Sequence, residues 1–385
     1  MISLMKTAHN HLQLILLLAL LSSVTPLAID AYLPAIPSMA KDFGVSISNI
    51  EITISIYLFF FAFGQFVGGI LSDRMGRKNT AMLGLFGFCI SSFILFLANT
   101  LELLYIFRGI QAFFGAMAVV NTGAIVRDLF KGKEAAKVFS TIASIMMIAP
   151  MIAPTLGSIV ISFFVWNYIF LFLGIYSLCV LILIYFKLPI TGERSNTKII
   201  QAYLNVLKHK QAIAYILAVS FAFAGMFIFI QKSPFIYMEY FSVSQDVFPL
   251  FFAANVLMMI IFTRINIKLI KDIPPSQILK YGIYLQIFAG LVLIGISFNP
   301  NLYAVLIFLM LYIGSLGFIF GNAMACALDF FKKDAGVANA VIGISEFFIG
   351  GFIGFLASLI ETSTLTPIFI MMSFTALLAL FSLKR

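Results

Sequence analysis

Charge is what this sequence has least of. Of its 385 residues, 10% are Asp, Glu, Lys or Arg and 62% are hydrophobic, whereas soluble domains carry about one quarter charged residues. A water-soluble fold of this length needs far more charged surface, so most of the outside faces lipid. Cysteine is also scarce. Cys89, Cys179 and Cys326 are odd in number and lie in apolar runs, which excludes a disulfide framework. His9, His11 and His209 form no metal set with them, and no metal or other cofactor is expected. No G-x-x-x-x-G-K-[ST] loop is present, which argues against ATP drive, and no hydrolase motif is present, which argues against an enzyme. No polar stretch is long enough for a soluble signalling domain, which disfavours a non-transporting membrane sensor.

What the chain does have is apolar length, with a mean hydropathy of +1.09 and 44 Phe. A bilayer core needs about 20 apolar residues per helix. Runs of that kind predict membrane helices over 11–36, 47–71, 79–98, 102–126, 136–162 and 167–186, then over 212–236, 247–270, 277–297, 301–328, 336–360 and 366–383. The first resembles a leader peptide but lacks a small-x-small cleavage site, so it reads as a retained helix. This is an all-α membrane protein of two six-helix bundles, residues 1–190 and 212–385, joined by a polar linker over 191–211. The net charge of +9 then concerns orientation, not nucleic acid. Of the 24 Lys and Arg, all but Lys41, Arg108 and Lys232 fall at one side of the alternating spans. The positive-inside rule puts that side, both termini included, in the cytoplasm. Two related halves imply a binding site between them.

Four passages carry chemistry. The turn Gly69-Ile70-Leu71-Ser72-Asp73-Arg74-Met75-Gly76-Arg77-Lys78 combines small residues for close helix approach and a tight turn with charges that can pair across one face. In the fourth helix, Arg108, Gln111, Gly115 and Thr122 share a face, and an arginine inside a membrane helix normally faces the bundle interior or snorkels out. The fifth holds Pro150 and Pro154, each lacking a helix donor, with Gly157 among other small residues that let a neighbour pack closely. The first holds Asp30, on a face with Ser23. A carboxyl group among apolar residues can change protonation as its surroundings change.

The turn resembles the G-x-L-x-D-R-x-G-R-K loop of the major facilitator superfamily, in which Gly69, Asp73, Arg74, Gly76, Arg77 and Lys78 would form a conformational latch. Arg108 and Gln111 resemble that superfamily's R-x-x-Q-G motif, with Ala112 in place of the glycine. Pro150, Pro154 and Gly157 are similar to its G-P-x-x-G-G antiporter motif, with Ala153 and Ser158 replacing glycines. The Asp30-Ala31-Tyr32-Leu33-Pro34-Ala35 passage resembles the Bcr/CflA family of drug exporters, as do Phe221–Phe227 and Ser233–Tyr237. The resemblance implies a monomeric proton-coupled exporter of a small molecule in a bacterial inner membrane. Asp30, Arg108 and Glu346 would serve proton coupling. Ser23, Tyr32, Tyr57, Gln111, Thr122, Phe223, Met226 and Phe229 would line the substrate cavity. Glu346 is an expectation from physics alone, as an acid some ten residues into the eleventh helix. It could bind a cationic substrate, take a proton, pair with Lys232 or Arg108, or be structural. A dedicated exporter of a metabolite or siderophore and an uptake symporter share this fold, and the fifth-helix prolines weakly oppose uptake.

Overall fold

The computed structural model describes residues 2–190, 199–331, 335–360 and 363–384. Glu193, Arg194, Lys198, Lys332, Lys333 and Arg385 lie outside the described residues, as do the side chains of Lys6 and Lys133. The described chain is helical, as lipid requires of a backbone that must satisfy its own N–H and C=O groups. In order the helices are α1 (Ile2–Asp30), α2 (Ile36–Phe43), α3 (Ile47–Met75), α4 (Arg77–Phe96), α5 (Leu101–Val119), α6 (Asn121–Leu129), α7 (Gly132–Phe163) and α8 (Asn167–Lys187). There follow α9 (Ile199–Lys208), α10 (Lys210–Pro234), α11 (Phe248–Leu269), α12 (Pro275–Ile296), α13 (Leu302–Gly314), α14 (Leu316–Leu328), α15 (Ala335–Ser358) and α16 (Thr366–Ser382). Among the described residues, eleven spans are long and apolar enough to cross a membrane, and α16 is a shorter apolar twelfth. Their outer faces carry exposed Leu250, Leu291 and Phe374, an apolar surface suited to lipid.

Three details differ from the sequence expectation. The predicted linker contains a helix, α9. The turn between α3 and α4 shrinks to Gly76 alone, whose φ of 90° favours glycine. The first span is broken: α1 stops at Asp30, a 3-10 turn covers Leu33–Ala35, and α2 resumes the helix. Pro34 disfavours helical backbone at Leu33, and Pro37 suits the first turn of α2, where its missing N–H costs nothing.

Irregularity recurs at matching places in the two halves of the chain. The seventh span ends in a π-helical segment, Phe235–Tyr240. The fourth span is interrupted between α5 and α6, where Asn121 Nδ2 donates to the Met117 and Ala118 carbonyls at 2.7 and 3.2 Å. The tenth is interrupted between α13 and α14, where Ser315 Oγ donates to the Tyr312 carbonyl at 2.6 Å. Such side chains compete with the helix for its own acceptors.

By packing, the chain divides into two units, Met1–Tyr32 with Phe60–Thr197, and Leu33–Phe59 with Lys198–Arg385. In the first, α4 packs on α5 and α8, and α1 packs on α5, α7 and α8. In the second, α10 packs on α14, α15 and α16, and α12 packs on α13, α14 and α16. Ile216, Val219, Leu279, Ile283, Leu316 and Ile319 build part of its core.

Candidate functional site

In the first unit the chemistry collects where α1 ends. Asp30 is 3% exposed, and its Oδ1 has no hydrogen-bond partner. None of the ion pairs among the described residues includes it. A charge buried without a partner is costly, and none of these ion pairs offsets one on Asp30.

Arg108, on α5, is fully buried and faces inward, not out to a surface. Its Nη1 donates to the Ala28 carbonyl at 3.1 Å and to Gln111 Oε1 at 2.7 Å. Gln111 Nε2 passes the network to Ser92 Oγ at 2.7 Å. The guanidinium lies 4.4 Å from the centroid of Tyr32 and 5.7 Å from that of Phe170. This is a buried cation held by aromatic faces and by a carbonyl two residues before Asp30. Tyr32 is thus a wall of the arginine's cage. Thr122 Oγ1 accepts from Ser22 Oγ at 3.2 Å, whereas Ser23 Oγ turns back to the Ala19 carbonyl at 2.8 Å. The hydroxyl joining α1 to Thr122 is therefore that of Ser22.

The proline-rich part of α7 abuts the same place. The helix runs through both Pro150 and Pro154 without a break in assignment. A Cβ on Gly157 would lie 1.6 Å from the Ala31 carbonyl oxygen. No side chain fits there, so glycine is what lets α7 touch the backbone beside Asp30.

The charged turn organises the far end of α3. Arg77 is paired with Asp73, donates to Ser72 Oγ at 2.8 Å and reaches Asp128 Oδ2 at 3.5 Å. Lys78 Nζ donates to the Tyr185 carbonyl at 2.8 Å, while Arg74 is exposed. Gly69 is half-buried. Its neighbour Gly68 makes a close approach, since a Cβ there would lie 2.7 Å from Met117 Cα. Asp128 escaped the sequence reading because it lies 51 residues beyond Arg77 and belongs to no contiguous motif.

In the second unit Glu346, on α15, is 5% exposed, and its Oε1 has no hydrogen-bond partner. It sits one turn before Gly350, whose Cβ would lie 2.5 Å from Phe227. Phe227 approaches Phe223 and Phe347, with centroids 6.2 and 5.6 Å apart, so aromatic rings of α10 and α15 surround that level of the helix pair. Phe223 and Met226 are half-buried. Phe229 lies elsewhere: it stacks on Phe252 at 5.8 Å and is 2% exposed, packed between α10 and α11. Tyr57 is fully buried.

The suggested pairing of Lys232 with Glu346 is not what the structure holds. Lys232 Nζ donates to Glu51 Oε2 at 2.6 Å, with Ser48 Oγ at 3.4 Å. Glu51 was missed because it falls in the first turns of an apolar span. The rule that singled out Asp30, an ionisable group inside a span, would have found it.

Comparisons with known proteins agree with this architecture. The family model of the Major Facilitator Superfamily matches residues 18–355. The chain is 32% identical over 364 residues to a bicyclomycin resistance protein homolog of Haemophilus influenzae, covering 92% of this chain and 90% of that one. It is 29% identical to a chloramphenicol resistance protein of Pseudomonas aeruginosa, over 92% and 86% of the two chains. It is 29% identical to the multidrug resistance protein MdtL of Escherichia coli, over 83% and 82%. Among solved structures, a D-xylose–proton symporter superposes with a TM-score of 0.78 over 97% of this chain and 98% of that one, at 15% identity. At that identity the likeness concerns the fold alone.

Proposed function

Because this chain belongs to the Major Facilitator Superfamily, as a membrane transporter related to drug-resistance efflux proteins, we propose that it is a proton-coupled exporter. Its cargo is a small hydrophobic or cationic compound, a drug or a metabolite. It works as a monomer in the bacterial inner membrane with both termini in the cytoplasm, as the distribution of Lys and Arg suggests. Two six-helix bundles rock about a central site, alternately opening it to either side.

The observation that carries this reading is the meeting of α1 and α7. Asp30 ends a broken helix with an oxygen that no donor satisfies, and Gly157 brings the proline-rich helix onto the adjacent carbonyl. A proton taken up by Asp30 removes a buried charge, so the two protonation states favour different packings around that contact. Arg108 holds the surrounding polar network in place, and Glu346 offers a second buried carboxyl on the opposite half for a cation. A proton falling through about 100 mV is worth roughly 2.3 kcal/mol. That sustains a cargo gradient of roughly 40-fold, enough for export without ATP.

The test is Asp30→Asn in proteoliposomes with an imposed pH gradient. Insertion and folding are expected to be retained while proton-linked cargo movement is lost. Full gradient-driven movement by the variant refutes the role of Asp30. Cargo movement indifferent to pH difference and voltage in the parent protein refutes the coupling itself. Secretion of one metabolite, with no change in tolerance to drugs, would make the protein a dedicated exporter.

A further inference from the structure

We propose that the Glu51–Lys232 ion pair is a lock that holds residues Leu33–Phe59 against the second half of the chain, and that it opens when Glu51 is neutralised. This rests on the alternating-access reading above.

By chain order Leu33–Phe59 belongs to the first six spans, yet it packs in one unit with Lys198–Arg385. Any rocking of one six-helix set against the other must part this contact. The contact is specifically built. Glu51, fully buried on the second turn of α3, accepts from Lys232 Nζ at 2.6 Å, and Lys232 is 3% exposed. One turn further on, Ser55 Oγ donates to Gln231 Oε1 at 2.9 Å, and Gln231 Nε2 donates to the Gly354 carbonyl at 3.2 Å. Gly351 lets the backbone of α15 meet that of α3, and Gly354 leaves room for the side chains of Gln231 and Ser55. A Cβ on Gly351 would lie 2.8 Å from Phe59 N, and one on Gly354 would lie 2.7 Å from Gln231 Oε1. The rings of Phe59 and Phe348 close the seam, 5.1 Å apart.

A seam meant only for stability has little need of a buried ion pair, because hydrophobic residues of similar volume often serve as well or better. An ion pair is distinguished by how sharply it fails when one partner loses its charge, leaving the other buried alone. That is the behaviour a switch requires. Among the charged groups, Lys232 attracts Glu51 and Glu239, on the π-helical segment, repels it. A proton arriving at Glu51 removes the attraction to Lys232, leaving the lysine buried without its counter-charge. The pair lies at the end of α3 opposite the Gly76 turn, so on the proposed orientation that proton comes from outside the cell.

The experiment measures spin-label distances by double electron–electron resonance in the full chain, reconstituted in nanodiscs without cargo. Cys89, Cys179 and Cys326 are first replaced, and labels are then placed at the exposed Lys41 and Asn299. Glu51→Gln is expected to raise a longer-distance population on the order of tenfold over the parent. Lys232→Met should do the same, and the swap Glu51→Lys with Lys232→Glu should return the distribution toward the parent's. If one single variant fails to fold, the other carries the expectation, while the neutral pair Glu51→Gln with Lys232→Met, which leaves no charge buried alone, is expected to keep the parent's distribution. A distribution unchanged from the parent in Glu51→Gln, or in Lys232→Met where Glu51→Gln does not fold, overturns the lock, and so does a neutral pair that opens as far as a single variant. Because no cargo is present, that result leaves the export reading standing. Conversely, gradient-indifferent transport by the parent overturns export without touching the distances.

Discussion

Replacing Gly157 with alanine adds one methyl group at a point where two helices meet. The structure allows the consequence to be estimated. The new Cβ would stand 1.6 Å from the Ala31 carbonyl oxygen and 2.7 Å from its carbon. Comfortable separation for such atoms is about 3.5 Å, so α7 and the end of α1 must part by about 2 Å. Neither atom belongs to a side chain that can swing away, so the strain goes into helix positions in a close-packed interior. Overpacking of this kind costs roughly 1–3 kcal/mol, and the backbone partner puts Gly157→Ala at the upper end. Gly321 supplies the control. It lies inside α14, and a Cβ there meets nothing within 4 Å. Gly321→Ala should therefore be neutral, or stabilising by a few tenths to about 1 kcal/mol through helix propensity. The assay is the thermal unfolding midpoint of purified protein in one detergent, followed by transport well below that midpoint. Gly157→Ala is expected to lower the midpoint by several degrees and to impair transport even where it is folded, because the displaced contact adjoins Asp30. A midpoint no lower than that of Gly321→Ala would refute the close-approach argument.

Other outcomes follow from the same geometry. Arg108→Lys keeps the charge but loses the planar guanidinium that lies over Tyr32 while its Nη1 serves both Ala28 and Gln111. A loss of roughly 2 kcal/mol is expected from the weakened aromatic contact and one hydrogen bond. Parental stability in the lysine variant would mean that the charge alone matters. Glu346→Gln should reduce export of cationic compounds more than of neutral ones, measured as relative transport rates in vesicles. An unchanged cargo profile would make this glutamate a structural group.

How much of this was legible beforehand depended on the range of each interaction. The spans were readable because a membrane crossing must be apolar over its own length, which is a local property. The break after Asp30 was partly written in Pro34 and Pro37, but an uninterrupted apolar run concealed it. The buried charge at Arg108 was readable, because an arginine in a span has few places to go. Its partners were readable only where helical spacing supplied them: Gln111 lies one turn away, whereas Ala28 lies on α1 and Tyr32 just past its end. Ser22 and Ser23 are adjacent in sequence, and only the helix's rotation against its neighbours chose which one meets Thr122.

Sequence alone determined that this is a lipid-embedded bundle of about a dozen helices, because the cost of exposing backbone or charge to hydrocarbon is paid residue by residue. It also marked the few ionisable groups inside the spans. Tertiary structure alone decided which of them are paired. Lys232 meets Glu51 across 181 positions, while Asp30 Oδ1 and Glu346 Oε1 find no partner. Pairing is settled by which helix faces touch, and that depends on small residues such as Gly157 and Gly351, whose closest neighbours lie far from them in the sequence.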